Sequence, residues 1–296
     1  MRRGLLSTVL IVALVASAVS LVAWRDRRYG DRRTSSDLLY FRSGAALARV
    51  ALSFDALLAD VYWIRAVQHY GGTRLSKDPS KRYHLLQPLL DITTSLDPSF
   101  NIAYRFGAYF LAEAFPGGAG RPDQAIALLQ KGFAARPDRW QYLQDIGMVH
   151  YWWLHDYTAA AGWFQKASQV PGSPWWLKPL VPAMLAQGGD RQTARLLWSQ
   201  LREAADNEWL RRDANRRLMQ LDALDALDQL RAASRGFASR LGRLPADWGD
   251  LARAGYLRGV PLDPTGVPYE LDPVTGWVSL SQKSSLYPLP VESERR

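Results

Sequence analysis

Apolar residues recur every three or four positions along most of the chain, and glycine or proline interrupts them at intervals. This spacing is typical of amphipathic α-helices, which bury one face and expose the other. We therefore predict a mainly α fold. The predicted helical segments are 38–70, 78–98, 99–114, 122–137, a hairpin over 138–171, 173–187, 191–205 and 207–241.

Proline and glycine indicate where these helices begin, bend or end. Gly71-Gly72 is predicted to end the first helix, and Asp78-Pro79 to cap and start the next one. Pro179 and Pro182 should bend the helix that contains them, because proline lacks the N–H of the helical hydrogen bond.

Small and large apolar residues repeat at matched positions. Phe164 and Trp198 are 34 residues apart, and so are Ala160 and Ala194. Small residues allow a neighbouring helix to approach closely, and Gly147 occupies such a position in the middle of a predicted helix. An ordinary helical bundle could share this periodicity, but the constant spacing favours stacked helical hairpins.

The stretch from Pro122 to Pro171 resembles the tetratricopeptide repeat, which has a W-x2-L-G-x2-Y start, then A-x3-F, then proline. The resemblance implies an α-solenoid of about four helical hairpins. The residues that carry the second half of the pattern are Ala125, Leu129, Gly132 and Pro137, then Ala160, Phe164, Ala167 and Pro171.

The last fifty residues have a different pattern. Asp247 to Ala254 predicts a short helix closed by Gly255, and two turn stretches around 267–271 predict a β-hairpin with 277–280. This segment resembles the C-terminal part of type II secretion major pseudopilins, a family that binds calcium there. Asp272 stands in a simple turn here, and no Asp or Glu follows it before Glu292, so a structural cap on the solenoid is favoured over calcium binding. The matching residues are Gly242, Leu244, Pro245, Leu251, Pro261, Asp263, Pro264, Gly266, Pro268 and Tyr269.

The N-terminus carries an uncharged run over residues 4–24, long enough to span a bilayer as a helix. A cleaved signal peptide with a site at Ala16-Ser17-Ala18 is the alternative, but the length favours an uncleaved anchor. We expect a single-pass protein of the bacterial inner membrane. The arginine-rich flank favours a cytoplasmic soluble part by the positive-inside rule, whereas the pseudopilin resemblance favours a periplasmic one, which we adopt.

Composition and charge limit the function. The net charge is +9, but residues 1–33 hold seven Arg and two Asp, so most of the excess flanks the uncharged run. This distribution is typical of a membrane flank and not of a nucleic-acid-binding surface. The absence of cysteine excludes disulfides and thiolate metal sites.

No motif for catalysis is present. The histidines His69, His84, His150 and His155 do not form H-E-x-x-H, and the chain lacks G-x-S-x-G and a strand followed by G-x-G-x-x-G. We therefore predict a non-enzymatic protein without cofactor or metal.

Three aspartates recur along the long predicted helix. Asp222, Asp225 and Asp228 are three residues apart, which predicts a solvated stripe that can pair with Arg231 and Arg235.

The repeat resemblance also predicts a binding surface, because the first helix of each hairpin lines the concave face in that family. Counted from Gly107 and Gly147, this surface holds amides and aromatics but no lysine or arginine, so binding should depend weakly on salt. The predicted groove residues are Asn101, Tyr104, Gln141, Gln144, Met148, Tyr151 and Trp152.

These observations predict a membrane-anchored scaffold that binds another envelope protein or peptide. The pseudopilin resemblance implies a secretion, pilus or export assembly as its setting. The alternative is a carbohydrate- or lipid-binding accessory protein that uses an aromatic groove, since the chain has 12 Trp. The predicted segments are 1–33, anchor and basic flank; 34–205, repeats; 206–241, long helix; 242–290, cap; and 291–296, tail.

Overall fold

The computed structural model describes residues 14–21, 24, 44–51 and 53–291. It is mainly helical, as predicted, and it divides into two compact units, 1–120 and 121–296. Residues 14–21 and 24 of the predicted anchor are helical and exposed, and the rest of 4–24 lies outside the described residues. Within the described ranges, no helix is both long enough and apolar enough to cross a bilayer.

In the first unit, three helices pack around α3. The helices are α1 (Gly44–Val50), α2 (Asp55–Leu75), α3 (Leu86–Leu96) and α4 (Asn101–Ala112). Core positions of α3 such as Leu86, Leu89 and Leu90 are almost wholly buried, which explains why its neighbours collect around it.

The predicted boundaries in this unit need two corrections. The first predicted helix is interrupted at Ser53, which has a left-handed φ of 71°, and α2 then continues through Gly71-Gly72 to Leu75. Glycine inside a helix costs only about 1 kcal/mol, so two glycines in the last turns do not end this helix. Asp78 accepts a hydrogen bond from Ser80 N, 2.8 Å away, and forms a local turn instead of capping a helix.

In the second unit, each helix from α5 to α10 packs on the next one along the chain. A π-helical turn follows α6, and a 3₁₀ turn precedes α8. The elements are α5 (Pro122–Ala135), α6 (Trp140–Val149), the π-helical turn (His150–Leu154), α7 (Tyr157–Gln169), the 3₁₀ turn (Trp175–Leu177), α8 (Leu180–Gln187), α9 (Arg191–Glu203), α10 (Glu208–Leu241), α11 (Trp248–Arg253), β1 (Glu270–Leu271) and β2 (Val278–Ser279).

Capping side chains explain where three of these helices begin. Asp156, Asp190 and Asn207 each accept a hydrogen bond from the backbone N–H three residues ahead, at the starts of α7, α9 and α10. The prediction that Pro179 bends a helix is wrong, because Pro179 stands at the N-cap position of α8, after the 3₁₀ turn. Proline is tolerated at a helix start because the first N–H groups have no intrahelical partner there.

The expected close approach at Gly147 is confirmed. A Cβ added to Gly147 on α6 would lie 2.7 Å from Cε1 of Phe164 on α7, closer than carbon atoms pack. Phe164 is 1% exposed, so its ring has little room to move away. The close contact between α6 and α7 therefore depends on the absence of a side chain at Gly147.

The C-terminal segment packs on α10 through a shared apolar core. Tyr269, Val278, Leu280 and Leu286 bury themselves against Leu227 and its neighbours on the helix. The strands pair antiparallel with Glu270 opposite Ser279, although each has only two residues and the predicted hairpin is longer. The short helix α11, its Asp247 cap and the left-handed glycine at 255 agree with the prediction.

Side-chain donors on α10 also hold this segment by its backbone. Arg231 Nε donates to the Val278 carbonyl, 3.0 Å away, and its guanidinium lies over the Trp277 ring. Ser234 Oγ donates to the Gly276 carbonyl at 2.7 Å. Such contacts fasten a segment with little regular structure, because its carbonyls have few ladder partners.

Candidate functional site

The seven predicted groove residues divide between the two units. Tyr104, on α4 of the first unit, has no exposed surface, and its hydroxyl donates to the Thr94 carbonyl of α3 at 3.2 Å. Asn101, the first residue of α4, is half-buried. Because α3 packs against this side of α4, Tyr104 is a core residue of the first unit and not a surface for a partner.

Four of the other predicted residues form one stripe in the second unit. Gln141, Gln144, Met148 and Tyr151 are half-buried and follow one another at intervals of three or four residues. The α6 positions between them, such as Ile146, are buried. The stripe is therefore the partly exposed face of α6, whose other residues are mostly buried.

The π-helical turn decides how this stripe ends. It adds a residue per turn at His150–Leu154, so the phase of the side chains shifts after α6. Trp152 is consequently 49% exposed, and its ring centroid lies 5.7 Å from that of Trp153. The ring of Tyr151 instead lies 5.9 Å from that of Tyr157 on α7.

Burial lowers the pKa of His150, the first residue of the turn, although Asp156 opposes this effect. The His150 Nδ1 is buried without a hydrogen bond among the described residues and lies 3.9 Å from the Asp156 carboxylate. Burial favours the neutral imidazole here, because it removes water from around the charged form.

A cleft of about 470 Å³ opens beside Tyr151. Aromatic and aliphatic side chains form most of its wall, and the C-terminal segment closes one side. The lining residues are Tyr151, Tyr157, Ala183, Ala186, Gln187, Trp198, Arg217, Leu221, Pro288, Leu289, Pro290 and Val291.

The polar groups of the cleft suit hydrogen bonding and apolar contact. The hydroxyls of Tyr151 and Tyr157 and the Gln187 amide can donate and accept. Arg217 Nη1 lies 3.3 Å from Gln220 Oε1, and its Nε is buried without a hydrogen bond among the described residues. Among the described residues that line the cleft, none is a histidine, a carboxylate, a serine or a threonine.

Sequence reasoning found Tyr151 but missed the rest of this wall. Gln187 ends α8, Arg217 lies mid-way along α10, and Pro288 belongs to the C-terminal segment, so they are far apart in the sequence. A periodic pattern identifies the buried face of one helix and gives no signal for residues that meet across several elements.

A second feature is an exposed aromatic cluster at the start of α6 and α10. The rings of Trp140 and Trp176 are 5.6 Å apart, edge to face, as are those of Trp175 and Trp209. Trp175 is 50% exposed and Trp209 57% exposed. Flat aromatic faces open to solvent can stack on a ligand.

The aspartate stripe pairs mainly with α9, which corrects the predicted pairing within α10. Arg191 Nη1 lies 2.8 Å from both Asp225 and Asp228, and Arg195 pairs with Asp222 and Asp225. Arg231, the predicted partner, reaches Asp228 only at 4.0 Å. The stripe therefore joins two helices.

Among the described residues, no three His, Cys, Asp or Glu side chains gather as metal ligands would. Comparison of the chain with protein-family models, with curated protein sequences and with solved structures yields no match.

Proposed function

We propose that this protein is a non-enzymatic, membrane-anchored adaptor with a tetratricopeptide-like solenoid, which binds another envelope protein or peptide. The observation that carries the proposal is the cleft beside Tyr151, with its apolar wall and its hydroxyl and amide groups. The packing of consecutive helices in the second unit and the close approach at Gly147 support the solenoid. Such helical hairpins bury their faces on their neighbours and leave an extended surface for a partner.

The proposed setting is the bacterial inner membrane, with residues 4–24 as the anchor and the soluble part in the periplasm. The uncharged run and its arginine-rich flank support the anchor. Carbonate washing of membranes should leave the intact chain in the membrane fraction. A soluble chain whose N-terminus begins near Val19 would instead indicate a cleaved signal peptide.

The binding function is tested by affinity capture of the full chain from detergent extracts of the envelope, at low and at high salt. Tyr151→Ala should abolish recovery of a specific partner, because it removes an aromatic wall of the cleft. Trp209→Ala is the matched control, since it truncates an exposed aromatic residue that does not line the cleft. Equal recovery with both variants, while their melting temperatures are unchanged, argues against the cleft as the partner site.

The aromatic cluster supports a second candidate function, the binding of carbohydrate. Trp175 and Trp209 present partly exposed rings on which a sugar could stack. A glycan retained by the purified chain and lost in Trp209→Ala, but not in Tyr151→Ala, would favour this function over the adaptor.

A further inference from the structure

Ser285–Val291, the last described part of the C-terminal segment, lies along α10. Hydrogen bonds from α10 side chains to its main-chain carbonyls hold it there. Arg216 Nε donates to the Ser285 carbonyl at 3.3 Å, and Arg216 Nη2 donates to the Tyr287 carbonyl at 3.4 Å. Gln220 Nε2 donates to the Leu286 carbonyl at 2.8 Å and to the Pro288 carbonyl at 2.9 Å. Two side chains one helical turn apart thus bind four successive carbonyls.

This arrangement suits an irregular segment that contains proline. Proline has no N–H but keeps its carbonyl, so contacts made only to carbonyls survive at Pro288, where a strand ladder would lose a bond. Gln220 is 1% exposed, so its amide is held in place by the surrounding core. The Gln220 donor is therefore preorganised, and neither donor contacts the segment through its side chains in these hydrogen bonds.

Two leucines provide the side-chain contacts of the segment. Leu286 is 1% exposed within the core that α10 shares with the hairpin. Leu289 packs against that core and also against the one formed by α8, α9 and α10. Tyr287 and Val291 are 48% and 82% exposed, so the buried and exposed positions resemble those of a peptide lying in a groove.

The last four residues of the segment also form one wall of the cleft. Pro288–Val291 face the same space as Tyr151, Tyr157 and Arg217. The cleft that we assign to a partner is therefore bounded on one side by the chain's own C-terminal segment.

We propose that this face of α10 and the adjoining cleft form a binding site for a proline-containing peptide with aliphatic side chains. Ser285–Val291 is its resident ligand, and a partner peptide of the same chemistry displaces it. This inference rests on the proposed adaptor function and names the class of partner. Its regulatory consequence is that partner binding competes with the chain's own C-terminal segment.

The test uses the full chain with a site-specific protease sequence inserted after Gln282, which is exposed. The folded protein is nicked there, so that all its residues remain present while the C-terminal fragment is no longer covalently attached. A fluorescein-labelled synthetic peptide of residues 284–291 is then titrated, with fluorescence anisotropy as the readout. We expect saturable binding and release of the resident fragment.

Variants of α10 identify the site. Arg216→Ala should weaken binding of the labelled peptide roughly tenfold, because two carbonyl contacts are lost. Arg212→Ala is the matched control: it lies one turn earlier, its side chain is 74% exposed, and it does not contact the segment. A peptide with serine at the positions of Leu286 and Leu289 should bind more weakly than the native peptide.

Three results would overturn the inference: loss of the helical circular-dichroism signal on nicking, failure of the fragment to exchange, or affinity that is equal in the Arg216 and Arg212 variants. The first would make the segment an integral part of the fold. If a partner is nevertheless captured and its capture depends on Tyr151, the proposed adaptor function is retained. Exchange without any captured partner would retain the peptide site and remove the adaptor function.

Discussion

Two contacts in the second unit each join a helix to another part of the chain, but the interactions that hold them differ. Between α6 and α7 the fit is one of shape: Gly147 leaves space that the Phe164 ring fills. Between α10 and the C-terminal segment, polar contacts supplement the apolar core, since Gln220, Arg231 and Ser234 donate to backbone carbonyls. Two helices satisfy their own backbone groups, so they need only complementary surfaces, whereas an irregular segment needs partners for its carbonyls as well.

The shape contact should be the more sensitive of the two to substitution. Gly147→Leu should destabilise the protein by about 1–3 kcal/mol, because the new side chain meets the buried Phe164 ring. Thermal or urea unfolding measures the change. Gly162→Ala is the matched control on α7: an added Cβ there meets no atom of the described chain within 4 Å. Since alanine favours helix by up to about 1 kcal/mol, this control should be stabilising.

The predicted destabilisation would be contradicted if Gly147→Leu and Gly162→Ala unfolded at the same temperature as the unmodified chain. The α6–α7 contact would then be loose enough to accept a leucine, and the repeat register would lose its main support. Ala160→Leu gives an independent check, since Ala160 has no exposed surface and lies in the same core.

The polar contact should give the next largest effect. Gln220→Met keeps the length of the side chain but leaves the Leu286 and Pro288 carbonyls without their donor, which should cost about 1–2 kcal/mol. Arg212→Met, at an exposed position of the same helix, should change the free energy of unfolding by less than about 0.5 kcal/mol. Equal effects of the two substitutions would mean that the carbonyl contacts add nothing to stability.

The comparison also explains which parts of the molecule could be predicted from the sequence. Helix periodicity and a glycine in the middle of a helix are local signals, so the helical fold and the close approach at Gly147 could be predicted, although Phe164 as its partner could not. Gln220 binds carbonyls more than sixty residues away along the chain, and a polar residue on a helix carries no sign of such a partner. Tyr104 was misplaced for a related reason: periodicity gives a buried face but does not say which neighbour covers it.

Tyr269, in the C-terminal segment, offers a test of how a buried hydroxyl group affects stability at different pH values. Its hydroxyl is buried and makes no hydrogen bond among the described residues, and burial raises its pKa to about 12, with a further contribution from Asp263. The unfolded tyrosine ionises near pH 10, so the folded state favours the protonated form. This stabilising contribution is complete below about pH 10 and is lost as the pH rises towards 12.

Tyr269→Phe should therefore have little effect at pH 7, or stabilise slightly, because it removes an unsatisfied buried hydroxyl. Above pH 10 the variant should become progressively more stable than the unmodified chain, measured by urea unfolding across pH. Tyr287→Phe serves as the control, since Tyr287 is 48% exposed. A constant difference between pH 7 and pH 12 would show that the hydroxyl does not resist ionisation.

The smallest effect is expected at the ion pairs between α9 and α10, which are the exposed counterpart of the buried contacts above. Arg195 pairs with Asp222 and Asp225, but its side chain is 35% exposed and those of its partners 53% and 45%. Water screens charges that are this accessible, so Arg195→Ala should cost less than about 1 kcal/mol. The loss should shrink further in 1 M salt, where the Debye length is only about 3 Å. Urea unfolding at low and high salt measures both quantities. A cost above about 2 kcal/mol that does not change with salt would mean that Arg191, Arg195 and the aspartates act as one network, held rigidly enough to resist screening.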